Sequence, residues 1–282
     1  MNKQTKKIKR ISFFRPTSNE STEDIKNADA LLFDIEATPH AFVLGCIMNS
    51  QMRDERAWII PYKVFSAFSN MGLIKNNSIN ELAKVPLEKY KEVFSSYYDK
   101  SLHRFDYMAE RFYKAILHIK EKYQGNAAKI WANKPSSKDI IEKFLEFDGV
   151  GPKIATTALD ILFAQYNVDI IFYDHDRLRM LRKSLKINQS DFAIKIGMAQ
   201  SSYSQIETGE NSLTDKNISL ISLIYGVSES WLRHGEGEMF DVASKPKDDD
   251  EKKLLEMFRT LPSEMREYVL RKVQECRRID QD

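Results

Sequence analysis

The sequence predicts an all-α protein, in which a helical domain is followed by a compact five-helix-type domain and a helical tail. Apolar residues recur at spacings of three and four, and no alternating apolar–polar stretch of useful length competes with them. Gly and Pro, only ten and eight of 282 residues, fall between the periodic stretches. A single core rarely needs a chain of this length, so a seam between two domains is expected.

Residues 1–28 are polar and basic with little periodicity and read as a flexible arm. From 29 to 170 the chain reads as helix after helix, punctuated at Pro39, Pro61, Gly72, Pro86, Gly125, Pro135 and Gly149. Within it, Phe105, Met108, Ala109, Phe112, Ile116 and Ile119 share one helical face. The segment "NVDIIFY", Asn167 to Tyr173, reads either as a brief strand or as an apolar linker. A compact second region spans 174–240. Residues 241–250 are a linker, where Pro246 and three consecutive aspartates oppose regular packing. Residues 251–282 read as two short helices broken at Pro262. The stripe Met265, Val269, Val273, Cys276 on the second is too narrow to stand alone, so it is expected to pack on another chain or on its own domain.

Composition narrows the function classes. Cys46 and Cys276 cannot build a disulfide framework or supply the four thiolates of an iron–sulfur cluster, and no cofactor or metal is expected. The basic start MNKQTKKIKR lacks the apolar stretch of a signal peptide. The longest apolar run, Ala41 to Met48, is far short of the ~20 residues of a membrane helix. A cytoplasmic protein without membrane partners is expected. The net charge of +2 conceals an asymmetry: residues 1–200 carry 31 Lys and Arg against 24 Asp and Glu, whereas residues 201–282 carry 12 against 17. The basic part is where phosphate is expected.

The most specific motif is "INQSDFAIKIGMAQSSYSQIETGENSL". Asn188 is placed to cap a helix from Gln189 to Ile196, with Phe192 and Ile196 facing inward. Gly197 supplies a turn, and Ala199 opens a second helix, Gln200 to Glu207, with Tyr203 and Ile206 on its buried side. Gly209 ends it. Gln200, Ser201, Ser202 and Gln205 are left on the free side, where Gln can pair bidentately with adenine and Ser can donate or accept. At these residues the sequence resembles the Cro and repressor family of lambdoid phages and related bacterial regulators. The resemblance covers Asp176 to Phe240, including "DRLRMLRKSLKINQ" and "SLIYGVSESWLRHGEGEMF". It implies a helix-turn-helix binding double-stranded DNA as a homodimer at two-fold symmetric operators. It implies also that Gln189 holds a phosphate and supports Gln200, that Ser201, Ser202 and Gln205 face bases or phosphate, and that Trp231 and Leu232 are core. The C-terminal stripe is a candidate dimer contact.

A second motif is "FLEFDGVGPKIATTALDILF". A helix ends at Phe147, Gly149-Val150-Gly151 turns, and Pro152 sits at a first helical position. Such a turn aims backbone N–H groups at an anion, and its glycines let a phosphate approach, which gives sequence-independent grip. With these surroundings, residues 29–168 resemble the helical half of helix-hairpin-helix DNA glycosylases of the endonuclease III type. In "IMNSQMRDERAW", Ser50, Gln51 and Asp54 resemble the family's Ser-x-Gln-x-x-Asp, although Ser and Gln are consecutive here. The resemblance implies that Gln51 fills the hole left by a flipped nucleotide.

For Lys153 the resemblance implies either of two roles. One is the nucleophile of a glycosylase with lyase activity, which requires a pKa lowered by partial burial or nearby positive potential. The other is simple phosphate holding. The catalytic reading needs an aspartate: Asp174 is the first candidate and Asp169 the second, although helix capping accounts for Asp174 or Asp176 equally well. The family's second helical domain, which walls the active site, is replaced here by the helix-turn-helix. The residues favour a repressor-like regulator with a glycosylase-like DNA grip. Base-excision repair targeted by a helix-turn-helix is the alternative.

Overall fold

The computed structural model describes residues 12–14, 21–49, 56–97, 105–240, 249–262, 265–266, 268–269 and 271–272. The chain divides into two compact units, residues 1–171 and 172–282. Both are helical. Among the described residues the β pairing is a single isolated bridge between Ser136 and Ile171. Ser137 N–H donates to the Ile171 carbonyl at 2.9 Å, and Ile171 N–H to that of Pro135 at 3.0 Å. "NVDIIFY" is therefore an apolar connector with one bridge rather than a strand.

The first unit runs α1 (Thr22–Phe33), α2 (Pro39–Asn49), α3 (Arg56–Asn70), α4 (Ile79–Leu82), α5 (Leu87–Tyr97), α6 (Phe105–Lys122), a 3₁₀ turn (Ala127–Ile130), α7 (Ser137–Leu145) and α8 (Pro152–Ala164). Its axis is α2, whose residues from Pro39 to Met48 are all buried. A charge-free helix that is apolar on every side must be surrounded. Helices α1, α3, α6 and α8 surround it. Gly45 makes this closeness possible, because a Cβ there would stand 2.6 Å from the Trp58 ring. The stripe read on α6 is buried from Met108 to Ile119, with Arg111 unexpectedly included.

Two details differ from the sequence reading. Residues 22–28, assigned to the arm, belong to α1, which Ser21 caps and which buries Ala28 and Leu32. Residues just before it are also held: the Ser12 hydroxyl donates to Asp29, and Phe13 lies 4.5 Å from Trp58, centroid to centroid. Pro61 does not separate two helices but lies within α3. An interior proline costs about 3 kcal/mol. The buried Trp58, Ile59, Ile60, Val64, Phe65 and Phe68 on either side of it offset that cost, at roughly 1.5–3 kcal/mol each.

The second unit contains α9 (Asp174–Ser184), α10 (Gln189–Lys195), α11 (Gln200–Glu207), α12 (Asp215–Tyr225), α13 (Glu229–His234) and α14 (Asp249–Thr260). Leu178, Leu181, Phe192, Tyr203, Ile221 and Leu232 are fully buried in one core, with Trp231 partly buried against it. The tail joins this core. Phe258 of α14 is buried in it, and Leu261 and Val269 pack on it. The stripe read beyond Pro262 is therefore split, since Val269 faces its own unit while Met265 is exposed. Val273 and Cys276 lie outside the described residues. No described helix is long and apolar enough to cross a membrane.

Phe258→Ala is expected to destabilise the second unit by about 3–5 kcal/mol. Urea unfolding of the full chain checks this, and an unchanged transition would show the tail to be energetically separate.

Candidate nucleic-acid interface

The pair α10–α11 is built by local rules. Asn188 caps α10 by accepting from Asp191 N–H at 2.8 Å, which is worth about 1 kcal/mol. After Ile196, Gly197 adopts φ +68°, and Ala199 precedes α11 in extended backbone. Tyr203 and Ile206 turn into the core beneath α11. The opposite face carries exposed Gln200, Ser201 and Gln205, with Ser202 half-buried.

A buried carboxylate organises this face. Glu207, only 4% exposed, receives Arg182 Nε at 2.6 Å and Nη2 at 3.0 Å in a bidentate pair. The Tyr203 hydroxyl donates to it at 2.6 Å and Gln189 Nε2 at 2.7 Å. Arg182 Nη1 also donates to the Ile187 carbonyl, tying α9 to the turn before α10. Burial alone would raise the Glu207 pKa, but the hydrogen bonds from Arg182, Gln189 and Tyr203 outweigh it and hold the carboxyl below its ordinary range. Burial and the same carboxylate push the Tyr203 hydroxyl up, so it stays a donor.

The network reaches the surface through the two glutamines. Gln189, fixed by Glu207, accepts from Gln200 Nε2 at 3.3 Å. That bond orients the Gln200 amide, leaving its oxygen and second N–H for a base edge. Gln205 is oriented differently, because its Oε1 accepts from Asn211 Nδ2 at 3.0 Å. It therefore presents N–H donors, suited to guanine O6 and N7 or to phosphate. Reading the sequence missed Arg182, Glu207 and Asn211. The available signal was the i, i+4 pair Tyr203–Glu207, which puts an acid on the buried side.

In the first unit the Gly149–Gly151 turn leads into α8, with Pro152 at the helix start. The two glycines differ. Gly149 has φ +79°, and a Cβ on it would meet the Arg111 guanidinium at 2.1 Å. Gly151 is extended, at φ −98°, and a Cβ on it would meet nothing within 4 Å. The fold demands the first glycine but not the second. Gly151 caps α8 without a side-chain bond. Pro152 has no N–H and Ile154 N–H returns to the Gly151 carbonyl at 3.0 Å, so Lys153 N–H is the first-turn amide that faces the turn. Lys153 is exposed on that turn, its carbonyl accepting from Thr157.

The remaining candidates divide between the two units. Asp169, in the first unit, is exposed and pairs with Lys134 at 3.3 Å. In the second unit Asp176 is the capping carboxylate of α9, accepting from Tyr173 N–H at 3.0 Å, whereas Asp174 accepts from His175 N–H. Gln51, with Ser50 and Asp54, lies outside the described residues.

Replacing Glu207 by Ala leaves Arg182 without its counter-ion and is expected to cost about 3–5 kcal/mol in urea unfolding. Because the folded pKa of Glu207 is depressed, its stabilisation is present above its ordinary value of 4.5 and is lost as pH falls through the folded value. Wild type should therefore lose stability on acidification below about pH 5 more steeply than Glu207→Gln.

A helix-turn-helix family model matches residues 178–232, from within α9 to α13. The HTH-type transcriptional regulator DicA of Escherichia coli (strain K12) is 33% identical over 94 residues, which cover 31% of this chain and 67% of that protein. No solved structure matches the chain significantly. With the Arg182–Glu207 pair holding the α10–α11 turn together and two glutamines ordered on its outer face, the chain belongs, by its residues 178–232, to the helix-turn-helix family.

Proposed function

We propose that this protein is a DNA-binding transcriptional regulator, in which α11 reads an operator in the major groove while the Gly149–Gly151 hairpin grips duplex backbone. The observation that carries the reading is the chain of hydrogen bonds from Arg182 through Glu207 and Gln189 to Gln200. Sequence readout needs side chains held before contact, since ordering them on binding costs free energy. The similarity to a transcriptional regulator supports the same conclusion. Gln200 is assigned to adenine, and Ser201, Ser202 and Gln205 to bases or phosphate.

The first unit is assigned a supporting role as a glycosylase-like fold that contributes grip without chemistry. Lyase chemistry asks for a partly buried lysine. The exposure of Lys153 favours a phosphate contact instead. A two-fold arrangement is also proposed, with exposed Leu254, Met257, Met265 and Tyr268 of the tail supplying apolar area for a second copy. The setting is cytoplasmic.

An electrophoretic survey of a randomised duplex library tests the regulator reading. Enrichment of a symmetric sequence is expected, and no preferred sequence even at low salt would overturn it. Gln200→Ala should weaken binding to that sequence by about 1–3 kcal/mol and relax the choice at one position. A Cβ on Gly151 meets nothing within 4 Å, so Gly151→Val should cost no more than the ~1 kcal/mol of a poorer N-cap, yet weaken binding to all sequences alike. Isothermal titration and melting curves check both.

A further inference from the structure

Among the described residues of the first unit, Arg111 of α6 is a buried charge whose hydrogen-bonding groups are incompletely paired. It is 7% exposed, and its Nε and Nη1 are buried without a hydrogen-bond partner. A guanidinium in that position is costly unless something balances it. It lies 4.2 Å from the Tyr107 ring centroid, a cation–π contact. It also presses on the hairpin backbone at Gly149, in the space a Cβ would fill. Its Nη2 is 3.7 Å from Asp148 Oδ1, within ion-pair range but beyond hydrogen-bond length. Asp148 is shared: its other oxygen is 3.3 Å from Lys114 Nζ.

Two cations from α6 and the N-terminus of the 13-residue α8, which its cap Gly151 leaves without a side-chain bond, thus meet at a turn carrying one half-exposed carboxylate. A carboxylate repels an incoming phosphate, and this one stands on the hairpin itself, next to Gly149. We propose that Asp148 is an internal competitor for phosphate at the hairpin, occupying Arg111 and Lys114 until a DNA backbone phosphate displaces it. The proposal rests on reading the hairpin as a phosphate grip. It adds that grip strength is held down by a resident anion. Lys114, whose ammonium is well exposed, then moves from Asp148 to the phosphate, while buried Arg111 supplies fixed positive potential from below.

The test measures affinity of the full chain for a mixed-sequence duplex over a range of salt. Four variants are compared: Asp148→Asn, Lys114→Ala, Gly151→Val, and Glu142→Gln as a control for loss of one exposed negative charge on α7. Asp148→Asn is expected to tighten binding about two- to fivefold, the ratio an exposed charge pair supports, and clearly more than Glu142→Gln does. Lys114→Ala should weaken binding and lower the salt slope by about 1. If Lys114→Ala weakens binding while Asp148→Asn gains no more than Glu142→Gln, the competitor is overturned and the grip stands. If Gly151→Val and Lys114→Ala both bind as wild type, the grip itself falls, and the competitor with it. Should Asp148→Asn melt early, Asp148→Glu serves instead: it keeps the charge but shifts it by a methylene from both cations, and unchanged affinity overturns the proposal. Inorganic phosphate identifies the source of the anion. A rise in melting temperature that is larger in Asp148→Asn supports a free-anion site, and a response to duplex alone supports the backbone.

Discussion

The Glu207 carboxylate takes four hydrogen bonds from three side chains on three helices, and the order of the outer face of α10 and α11 depends on it. Arg182 comes from α9, Gln189 from α10 and Tyr203 from α11 itself. A hydrophobic core sets how far apart these helices lie, but it is non-directional and cannot fix the rotation of a glutamine on the surface. A buried anion can, because each bond to it has a preferred length and angle and none can be exchanged for water. Desolvating the acid is expensive, and only full pairing makes it tolerable. The energetic gain over an apolar replacement is small by this argument. What the network supplies is a defined position for Gln189 and, through it, for Gln200.

That logic also separates what was legible in the sequence from what was not. The helices around Phe192, Tyr203 and Ile206, the turn at Gly197 and the cap at Asn188 follow from periodicity and backbone chemistry, both local in sequence. The all-helical architecture follows in the same way. Glu207 was read only as a helix end, because its partners lie as far as 25 residues away in Arg182 and no local pattern brings the two together. Arg111 was hidden for a related reason: it interrupts an apolar stripe, and the fold buries it regardless. Pro61 misled because proline is a strong local breaker, yet the apolar residues on both sides bury enough surface to carry the helix through. The start of α1 was missed because the apolar content that anchors it, Ala28 and Leu32, lies late in the helix.

The two hairpin glycines show how structure divides residues that sequence treats alike. Gly149 is required by its left-handed backbone and by Arg111, so its replacement would disturb the fold before any question of binding arises. Gly151 has ordinary extended geometry and open space around its missing side chain. Among the described residues of the first unit no atom excludes a Cβ there, and the N-cap position accepts other residues as well as glycine. A residue whose smallness has no internal use is most simply explained by something that comes close from outside, and a helix start whose cap makes no side-chain bond favours an anion.

Both surfaces therefore reduce to one electrostatic design with opposite outcomes. At α11 a buried cation is fully matched by a buried anion, and the surplus hydrogen-bonding capacity is passed outward as oriented, neutral amides. Neutral amides discriminate between bases but contribute little attraction at a distance. At the hairpin the buried cation is under-matched: among the described residues it meets the face of the Tyr107 ring and an exposed acid at ion-pair distance. Unmatched positive potential attracts any phosphate and discriminates none. On the proposed function, a regulator that must find one site among many needs the first kind of surface to choose and only a restrained amount of the second, since strong indiscriminate grip would raise affinity for every competing site as much as for the correct one.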